Sequence, residues 1–151
     1  GVFIGKSNEN WHLEFTKSNI IIQFNFGEED VLVFYPNNGI GRFAMISKET
    51  NEFIGWAGLK FNTEMVNNKV NFYDIGYRLD EKFWGKGYAS EASFAWLNYA
   101  FETMKIKTIE AAAHSDNVAS NRILQKIGMQ MTETYLEDGV SWNWYVIENS
   151  N

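Results

Sequence analysis

Apolar and polar residues alternate along two neighbouring stretches of the chain, and this alternation predicts a pair of β-strands. The first stretch is Gly41–Lys48 and the second is Phe53–Phe61, and the polar residues Glu49–Glu52 between them are typical of a turn. Together they predict an antiparallel hairpin. A third strand is predicted over Val70–Leu79, which is rich in β-branched and aromatic residues. The lone Gly76 inside it suggests a β-bulge or a close approach of another backbone.

The spacing of apolar residues changes to three or four at Ala89, which predicts a helix over Ala89–Met104. Its apolar residues form two adjoining stripes: Phe94, Leu97, Phe101 and Met104, and Ala92, Trp96 and Ala100. A helix that is apolar on more than one face should be well buried. Beyond it, Lys107–Ala113 predicts a short buried strand. A second helix is predicted over Val118–Ile127, with Gly128 as its left-handed C-terminal cap.

A second hairpin is predicted at the end of the chain. Its strands are Met129–Leu136 and Val140–Ile147, and the Asp138-Gly139 pair between them is a strong turn signal. The order hairpin, strand, helix, strand, helix, hairpin predicts an α/β fold in which helices pack on one mixed sheet. A length of 151 residues suits a single domain, 1–151.

Composition narrows the class of ligand. The net charge is −6, which argues against nucleic acid as a partner, because binding to phosphate backbones needs clustered Lys and Arg. The same charge suits a cationic acceptor, although it also serves solubility alone. The chain has no cysteine, which excludes disulfides and cysteine-ligated metal sites, and no metal site is predicted. Since neither a membrane span nor a signal peptide is visible, we expect a cytoplasmic protein that does not enter the membrane.

A glycine-containing turn between the third strand and the first helix carries the strongest chemical signal. Gly85 and Gly87 allow the backbone to fold tightly and to come close to a ligand. The helix that follows begins with N–H groups that have no intrahelical partner, and such groups bind anions. With Lys82 and Lys86 nearby, the turn predicts a site for a pyrophosphate. The alternative is an ordinary loop with solvated lysines.

Two other binding functions compete with this interpretation. Gly85 and Gly87 also match the start of a dinucleotide-binding fingerprint, with Glu110 at a plausible distance for a ribose contact. That fold needs a buried parallel strand before the loop, whereas Val70–Leu79 follows a predicted antiparallel hairpin, and Ser90 replaces the third glycine. An aromatic content of 17% would suit a carbohydrate-binding β-module, but the helical periodicity argues against one.

Two longer motifs resemble those of the GNAT acetyltransferase superfamily. Ile75–Leu79 followed by Trp84–Ala92 resembles the acetyl-CoA-binding motif, and His114–Met129 resembles the second motif. The combination is closest to the ribosomal-protein alanine N-acetyltransferase (RimJ/RimL) branch. This resemblance implies a mostly antiparallel sheet with helices on both faces. It also implies a sheet that splays between the third and fourth recognisable strands, where the pantetheine arm of acetyl-CoA would lie.

The resemblance also implies roles for individual residues toward the cofactor. Backbone groups of Tyr77 and Leu79 would pair with the pantetheine amides. The pyrophosphate would be held beside Lys82 by the backbone N–H groups of Gly85, Lys86, Gly87, Tyr88 and Ala89. Arg122 and Lys126, one turn apart on the second helix, would meet the adenosine phosphates, or they are simply solvated.

Asn117 and Ser120 are the residues of the second motif that the resemblance places near the reacting end. Asn117 would hydrogen-bond the cofactor arm, and it also suits a helix N-cap. Ser120 would polarise the leaving thiolate or hold a water, or it satisfies the first turn of the helix. Many relatives have a tyrosine as general acid where this chain has Leu124, and a phenylalanine where it has Met129.

A general base is needed because a protonated amine has no lone pair with which to attack. Asp74, just before Gly76, is the candidate, since a mid-strand charge is expected to face a cleft. The alternative is a carboxylate that faces solvent. Glu52, Glu64 and His114 are weaker candidates.

The resemblance implies acetyl transfer from acetyl-CoA to a primary amine, by direct attack in a ternary complex. The acceptor would be a small-molecule amine or a protein N-terminus. We expect a monomer or a homodimer, and the sequence leaves both open. Residues 1–38 depart from the family, in which a first strand precedes amphipathic helices. Here Trp11–Phe15 and Ile20–Phe26 predict strands, and Glu28–Tyr35 fits either a strand or a helix. The alternative function is therefore a non-catalytic module that binds acyl-CoA.

Overall fold

One nine-stranded sheet organises the chain in the computed structural model, which describes residues 2–7, 10–15, 20–25, 42–47 and 52–150. The strand order is β1-β2-β3-β4-β5-β6-β7-β9-β8. The strands are β1 Val2–Ser7, β2 Asn10–Phe15, β3 Ile20–Asn25, β4 Arg42–Ser47, β5 Phe53–Asn62, β6 Phe72–Leu79, β7 Thr108–His114, β8 Gln130–Glu137 and β9 Val140–Glu148. All strand pairs are antiparallel except β6 with β7, so the prediction of a mixed, mostly antiparallel sheet is confirmed.

Two α-helices follow β6 and β7. Helix α1 spans Tyr88–Asn98 and continues as a π-helical turn over Tyr99–Thr103, so the single helix predicted to Met104 changes its winding in its last turn. Helix α2 spans Val118–Lys126. It ends in a Schellman motif, because the amide of Met129 donates to the Leu124 carbonyl at 3.0 Å and Gly128 has a positive φ of 98°.

The sheet opens between β6 and β7. Strand β6 pairs with β5 along its whole length, from Phe72 to Leu79. It pairs with β7 only through Tyr73 with Ile109 and Asp74 with Glu110. Beyond these two pairs the parallel strands separate into a V-shaped opening, so the predicted splay is confirmed.

The predicted bulge at Gly76 is absent from the β5–β6 ladder. Gly76 lies opposite Gly58 in a continuous register, and the register shifts in the sheet lie in the β4–β5 and β8–β9 pairs. The opening therefore arises where the β6–β7 pairing stops. Two facing glycines leave that part of the β5–β6 ladder without side chains.

The N-terminal strands extend the sheet beyond β4. The strands predicted over Trp11–Phe15 and Ile20–Phe26 are confirmed as β2 and β3, which pair antiparallel with each other. Strand β3 also pairs with β4. Strand β1 lacked a prediction, and the segment Glu28–Tyr35 lies outside the described residues.

Among the described residues, a hydrophobic cluster joins both helices to the sheet. Trp96, Leu97 and Leu124 from the helices are buried against Leu59 and Ile109 from the strands. Any helix on the opposite face, as the resemblance implied, lies outside the described residues. Burial of α1 is confirmed for the Ala92, Trp96 and Ala100 stripe, whereas Phe94 of the other stripe is 42% exposed. Neither described helix has the length and apolarity needed to cross a bilayer.

Candidate active site

The turn before α1 forms a backbone cradle over residues 85–89. Gly85 and Gly87 have positive φ values of 73° and 84°, and a Cβ added at either would meet nothing within 4 Å. Gly87 is the N-cap of α1, and no side chain in the described part of the chain caps this helix. The first turn therefore presents backbone N–H groups and the positive end of the helix dipole to open space, which is the arrangement that binds a phosphate.

Two lysines flank the Phe83 ring just before the cradle. The Nζ atoms of Lys82 and Lys86 lie 5.1 and 5.9 Å from the centre of this buried ring. Lys82 is already paired, since its Nζ donates to Glu52 Oε2 at 2.9 Å, and this hydrogen bond raises the lysine pKa. Lys82 is thus paired with Glu52, one of the weaker base candidates. The side chain of Lys86 is exposed beside the cradle.

Leu79 lies at the end of β6, where a pantetheine contact was predicted. Its carbonyl accepts a hydrogen bond of 3.0 Å from the indole Nε1 of Trp84, whose ring is 63% exposed. This bond ties the loop before the cradle back to β6. One lone pair of the Leu79 carbonyl is therefore committed within the chain.

Across the V-shaped opening, the side chain of Tyr77 joins β6 to α2. Its hydroxyl lies 3.1 Å from Ser120 Oγ and 3.2 Å from the Ser120 carbonyl oxygen. Burial raises the pKa of Tyr77, and the hydrogen bond with Ser120 offsets this only in part. From the sequence, only the backbone of Tyr77 was assigned a role. The aromatic ring at the separating end of β6 was the signal that sequence reasoning missed.

The N-terminus of α2 is fixed by its cap. Asn117 Oδ1 accepts a hydrogen bond of 3.0 Å from the Ser120 amide, so its predicted N-cap role is confirmed. This contact holds the Ser120 backbone in place beneath the Tyr77 hydroxyl. The role of Asn117 toward a cofactor stays a prediction.

Asn121 anchors the same helix to the sheet, and sequence reasoning missed it. Its Nδ2 donates to the carbonyls of His114 and Asn117, at 3.0 and 2.7 Å. Its Oδ1 accepts from Asn143 Nδ2 at 2.8 Å and from the Tyr145 hydroxyl at 2.6 Å. All four hydrogen-bonding positions of the amide are therefore used. The sequence did contain a signal for this role: Asn121 is a polar residue one helical turn before Leu124, which is buried.

Asp74 lies at the vertex of the opening, in the last residue pair before β6 and β7 separate. Its parallel partner is Glu110, whose Oε1 accepts a hydrogen bond of 3.1 Å from Trp144 Nε1. Because side chains alternate along a strand, Asp74 and Tyr77 point to opposite faces of β6. The base candidate and the hydroxyl pair are thus separated by the strand itself, at Ile75 and Gly76.

The remaining candidates lie away from this group. His114 ends β7, and its Nδ1 accepts a hydrogen bond of 3.2 Å from the Asp116 amide. Glu64 is exposed in the β5–β6 loop. Arg122, Met131 and Asn143 line a surface pocket of about 300 Å³. The pocket lies on the side of α2 that faces β8 and β9. Within residues 52–150, no hydrogen bond or ion pair links Arg122 or Lys126 to the cradle.

Comparison with known proteins agrees with this geometry. Residues 11–130 match the model of the acetyltransferase (GNAT) domain family. An uncharacterized N-acetyltransferase, p20, of Bacillus licheniformis is 38% identical over 59% of this chain and 48% of its own length. The FsC-acetyl coenzyme A-N(2)-transacetylase of Aspergillus fumigatus is 29% identical over 56% of this chain and 37% of its own length. The chain spans about half the length of the curated relatives it matches.

Solved structures share the fold. The ribosomal-protein-S5-alanine acetyltransferase of Vibrio fischeri superposes with a TM-score of 0.66 at 20% identity, over 81% of this chain and 68% of that one. A GNAT-family acetyltransferase of Bordetella pertussis gives a TM-score of 0.69 at 18% identity, over 78% and 71% of the two chains. At such identities the likeness concerns the fold alone. The family match, which covers most of the chain, goes further, and it shows that this protein belongs to the GNAT acetyltransferase family.

Proposed function

We propose that this protein transfers an acetyl group from acetyl-CoA to a primary amine, by direct attack within a ternary complex. The acceptor is a small-molecule amine or a protein N-terminus. The cradle over residues 85–89 is the observation that carries the proposal, because it combines two left-handed glycines, an uncapped helix N-terminus and open space.

The residues present fit a phosphate-containing cofactor. A side chain at Gly85 or Gly87 would project into the space that a pyrophosphate needs, and the chain places none there. Lys86, exposed beside the cradle, adds a positive charge for the phosphates. When bound, acetyl-CoA supplies a thioester whose carbonyl carbon accepts the amine and whose sulfur leaves.

The two faces of β6 would divide the chemistry between them. On one face, Asp74 accepts a proton from the incoming ammonium, directly or through a water, so that the nitrogen gains a free lone pair. On the other face, Ser120 and Tyr77 present hydroxyl groups at the separating end of the opening. The V-shaped opening beyond Asp74 and Glu110 leaves backbone groups of β6 unpaired toward β7, where they would bind the cofactor arm.

Thermal unfolding with and without acetyl-CoA tests the cofactor site. A ligand present at 100 times its dissociation constant stabilises the folded state by about 2.7 kcal/mol. We expect a clear rise in Tm with acetyl-CoA and none with acetate. Gly87→Ala should abolish most of this rise, because its methyl group would occupy open space beside the N–H groups of the cradle.

Gly139→Ala is the matched control for Gly87→Ala. Gly139 also has a positive φ, of 76°, with nothing within 4 Å of an added Cβ, but it lies in the β8–β9 turn. Both variants should lose about 1 kcal/mol of stability from backbone strain, and only Gly87→Ala should lose the response to acetyl-CoA. An equal response in the two variants would refute the cradle assignment.

Release of CoA in the presence of a panel of amines then separates catalysis from binding. Turnover with one amine that Asp74→Asn abolishes supports the enzyme. A thermal shift with acetyl-CoA but no turnover across peptides, polyamines and aminoglycosides would instead support the non-catalytic acyl-CoA-binding module.

A further inference from the structure

We propose that the Tyr77 side chain is a positioning residue that aims the Ser120 hydroxyl at the sulfur of bound CoA. The inference rests on the proposed function and assigns to this side chain a task at the leaving-group end of the site.

The Tyr77 side chain lies at the separating end of β6. Tyr77 lies three residues beyond Asp74, the last residue of β6 that pairs with β7. Its side chain therefore projects where the strand has lost its parallel neighbour, and its hydroxyl reaches α2 instead. This contact links β6 to α2, the helix that follows β7 on the other side of the opening.

The hydroxyl groups of Tyr77 and Ser120 form a hydrogen-bonded pair with few donors and acceptors. The pair has two O–H donors, and it offers as acceptors the two hydroxyl oxygens and the Ser120 carbonyl. The Ser120 carbonyl can only accept, so the Tyr77 O–H is the donor in that contact and its proton points toward Ser120. When Ser120 Oγ accepts from the same O–H, the Ser120 proton is directed away from Tyr77 and is available to a third partner. The backbone of Ser120 cannot turn away, because its amide is held by Asn117 at 3.0 Å. In this shared arrangement Tyr77 sets the direction in which Ser120 donates.

Negative charge would develop on the sulfur as the thioester reacts. As the amine forms its bond to the carbonyl carbon, the C–S bond breaks and the sulfur keeps the electron pair. A donor that retains its own proton stabilises this negative sulfur without a further proton transfer. Burial raises the pKa of Tyr77, so its hydroxyl stays protonated through mildly alkaline pH, and serine does not titrate.

The test compares the binding of CoA with that of desulfo-CoA, which lacks the sulfur, by calorimetry at pH 9. Alkaline pH raises the share of thiolate, since a cysteine thiol has a pKa of about 8.5 and the alkyl thiol of CoA is a somewhat weaker acid. We expect the wild-type protein to bind CoA about tenfold more tightly than desulfo-CoA, the size expected of one charge-assisted hydrogen bond. Ser120→Ala should remove this preference. Tyr77→Phe should reduce it severalfold, and the double variant should be no worse than Ser120→Ala alone.

Tyr73→Phe is the matched control. Tyr73 lies on the same strand and the same face, but its ring packs edge-on against Phe61 at 4.8 Å. It should keep the full preference for CoA. If Tyr77→Phe does not fold, Ser120→Thr, which retains a hydroxyl, should keep the preference while Ser120→Ala loses it.

The outcomes separate this inference from the proposed function. If neither ligand binds the wild-type protein, then the cofactor site is wrong and the inference falls with it. If both ligands bind equally, or if Tyr77→Phe keeps the full preference, the role assigned to Tyr77 is overturned while the cofactor site stands.

Discussion

The two edges of strand β6 are built in opposite ways. Toward β5, eight consecutive residue pairs join the strands. Toward β7, two pairs join them and the ladder then stops. The same strand therefore has one edge satisfied by its own sheet and one edge whose outer half needs other partners.

The difference shows that the strand pairing that stabilises β6 and the groups available to a ligand lie on opposite edges of the strand. Backbone N–H and C=O groups form strong hydrogen bonds, so the outer half of the β7-facing edge, where the ladder to β7 has stopped, is suited to a ligand. Other hydrogen bonds hold the groups around this edge in place. Tyr77 contacts Ser120, Asn117 caps α2, and Asn121 ties α2 to the end of β7. The closed edge supplies rigidity, and the open edge supplies the candidate site.

Gly55→Ala should break the closed edge and have the largest effect on stability. Gly55 pairs with Leu79, and an added Cβ would lie 2.1 Å from the Arg78 carbonyl oxygen and 2.7 Å from the Leu79 Cα. Because both obstacles are backbone atoms, the strands must separate. We expect a loss of about 3 kcal/mol in the free energy of unfolding, measured by urea denaturation.

Gly139→Ala again serves as a control, since the Cβ there meets open space and should cost about 1 kcal/mol. A Gly55 variant as stable as this control would show that the closed edge tolerates separation. That result would remove the contrast between the two edges.

Asn121→Ala should loosen the open edge with a smaller loss of stability. The substitution leaves the hydroxyl of fully buried Tyr145 and the amide of Asn143 without their acceptor. We expect a loss of about 2 kcal/mol, the usual cost of an unsatisfied buried group. The affinity for acetyl-CoA should fall as well, because α2 positions Ser120.

Thr134→Val is the comparison for Asn121→Ala. It removes only an exposed hydrogen bond of 3.1 Å from the Thr134 hydroxyl to Asn143 Oδ1. Stability and affinity should both stay near those of the wild type. Normal acetyl-CoA affinity in folded Asn121→Ala would mean that α2 does not shape the site.

The sequence predicted the strand and helix order, and it also predicted the splay by resemblance. These follow from periodicity, turn residues and motifs, which are local. What escaped it depends on long-range contacts. The Tyr77 hydroxyl meets a residue 43 positions away, and Asn121 meets Tyr145 across 24. The winding change after Asn98 and the exposure of Phe94 are likewise set by packing rather than by helical spacing.

Raising the pH should lower the stability of the protein through Tyr77, which lies at the open edge, and this effect should be smaller than those above. Burial raises the pKa of Tyr77, and a group whose pKa is higher in the folded state stabilises that state below its unfolded pKa, about 10. This contribution is lost as the pH rises through the folded pKa. The free energy of unfolding should therefore fall above about pH 10, and it should fall less steeply in Tyr77→Phe.

Tyr99→Phe is the comparison at high pH. Burial also raises the pKa of Tyr99, but this residue lies in the π-helical turn, away from the opening. Tyr77→Phe and Tyr99→Phe should each make the free energy of unfolding fall less steeply with pH above about pH 10. An unchanged slope in Tyr77→Phe would show that its hydroxyl titrates as freely in the folded as in the unfolded protein.

Glu133→Gln should produce the smallest effect, at the paired end of β6. Lys69, in the loop that leads into β6, places its Nζ 2.8 Å from Glu133 Oε1 on β8, and Asn67 donates to the same oxygen. The hydrogen bond from Lys69, followed by that from Asn67, lowers the pKa of Glu133. Because the pKa of Glu133 is lower in the folded state, the ionised carboxylate stabilises that state at any pH above its unfolded pKa. This contribution is lost as the pH falls through the folded pKa.

The exposed pair should therefore give a slightly lower Tm for Glu133→Gln than for the wild type at pH 7. The two proteins should have the same Tm at acidic pH, where Glu133 is protonated. Because glutamine keeps an acceptor and Lys69 keeps its place 4.9 Å from the centre of the Trp144 ring, the comparison isolates the charge. A difference in Tm that persists after Glu133 is protonated would mean that the β5–β6 loop is held by packing, and that the paired end of β6 does not depend on this ion pair.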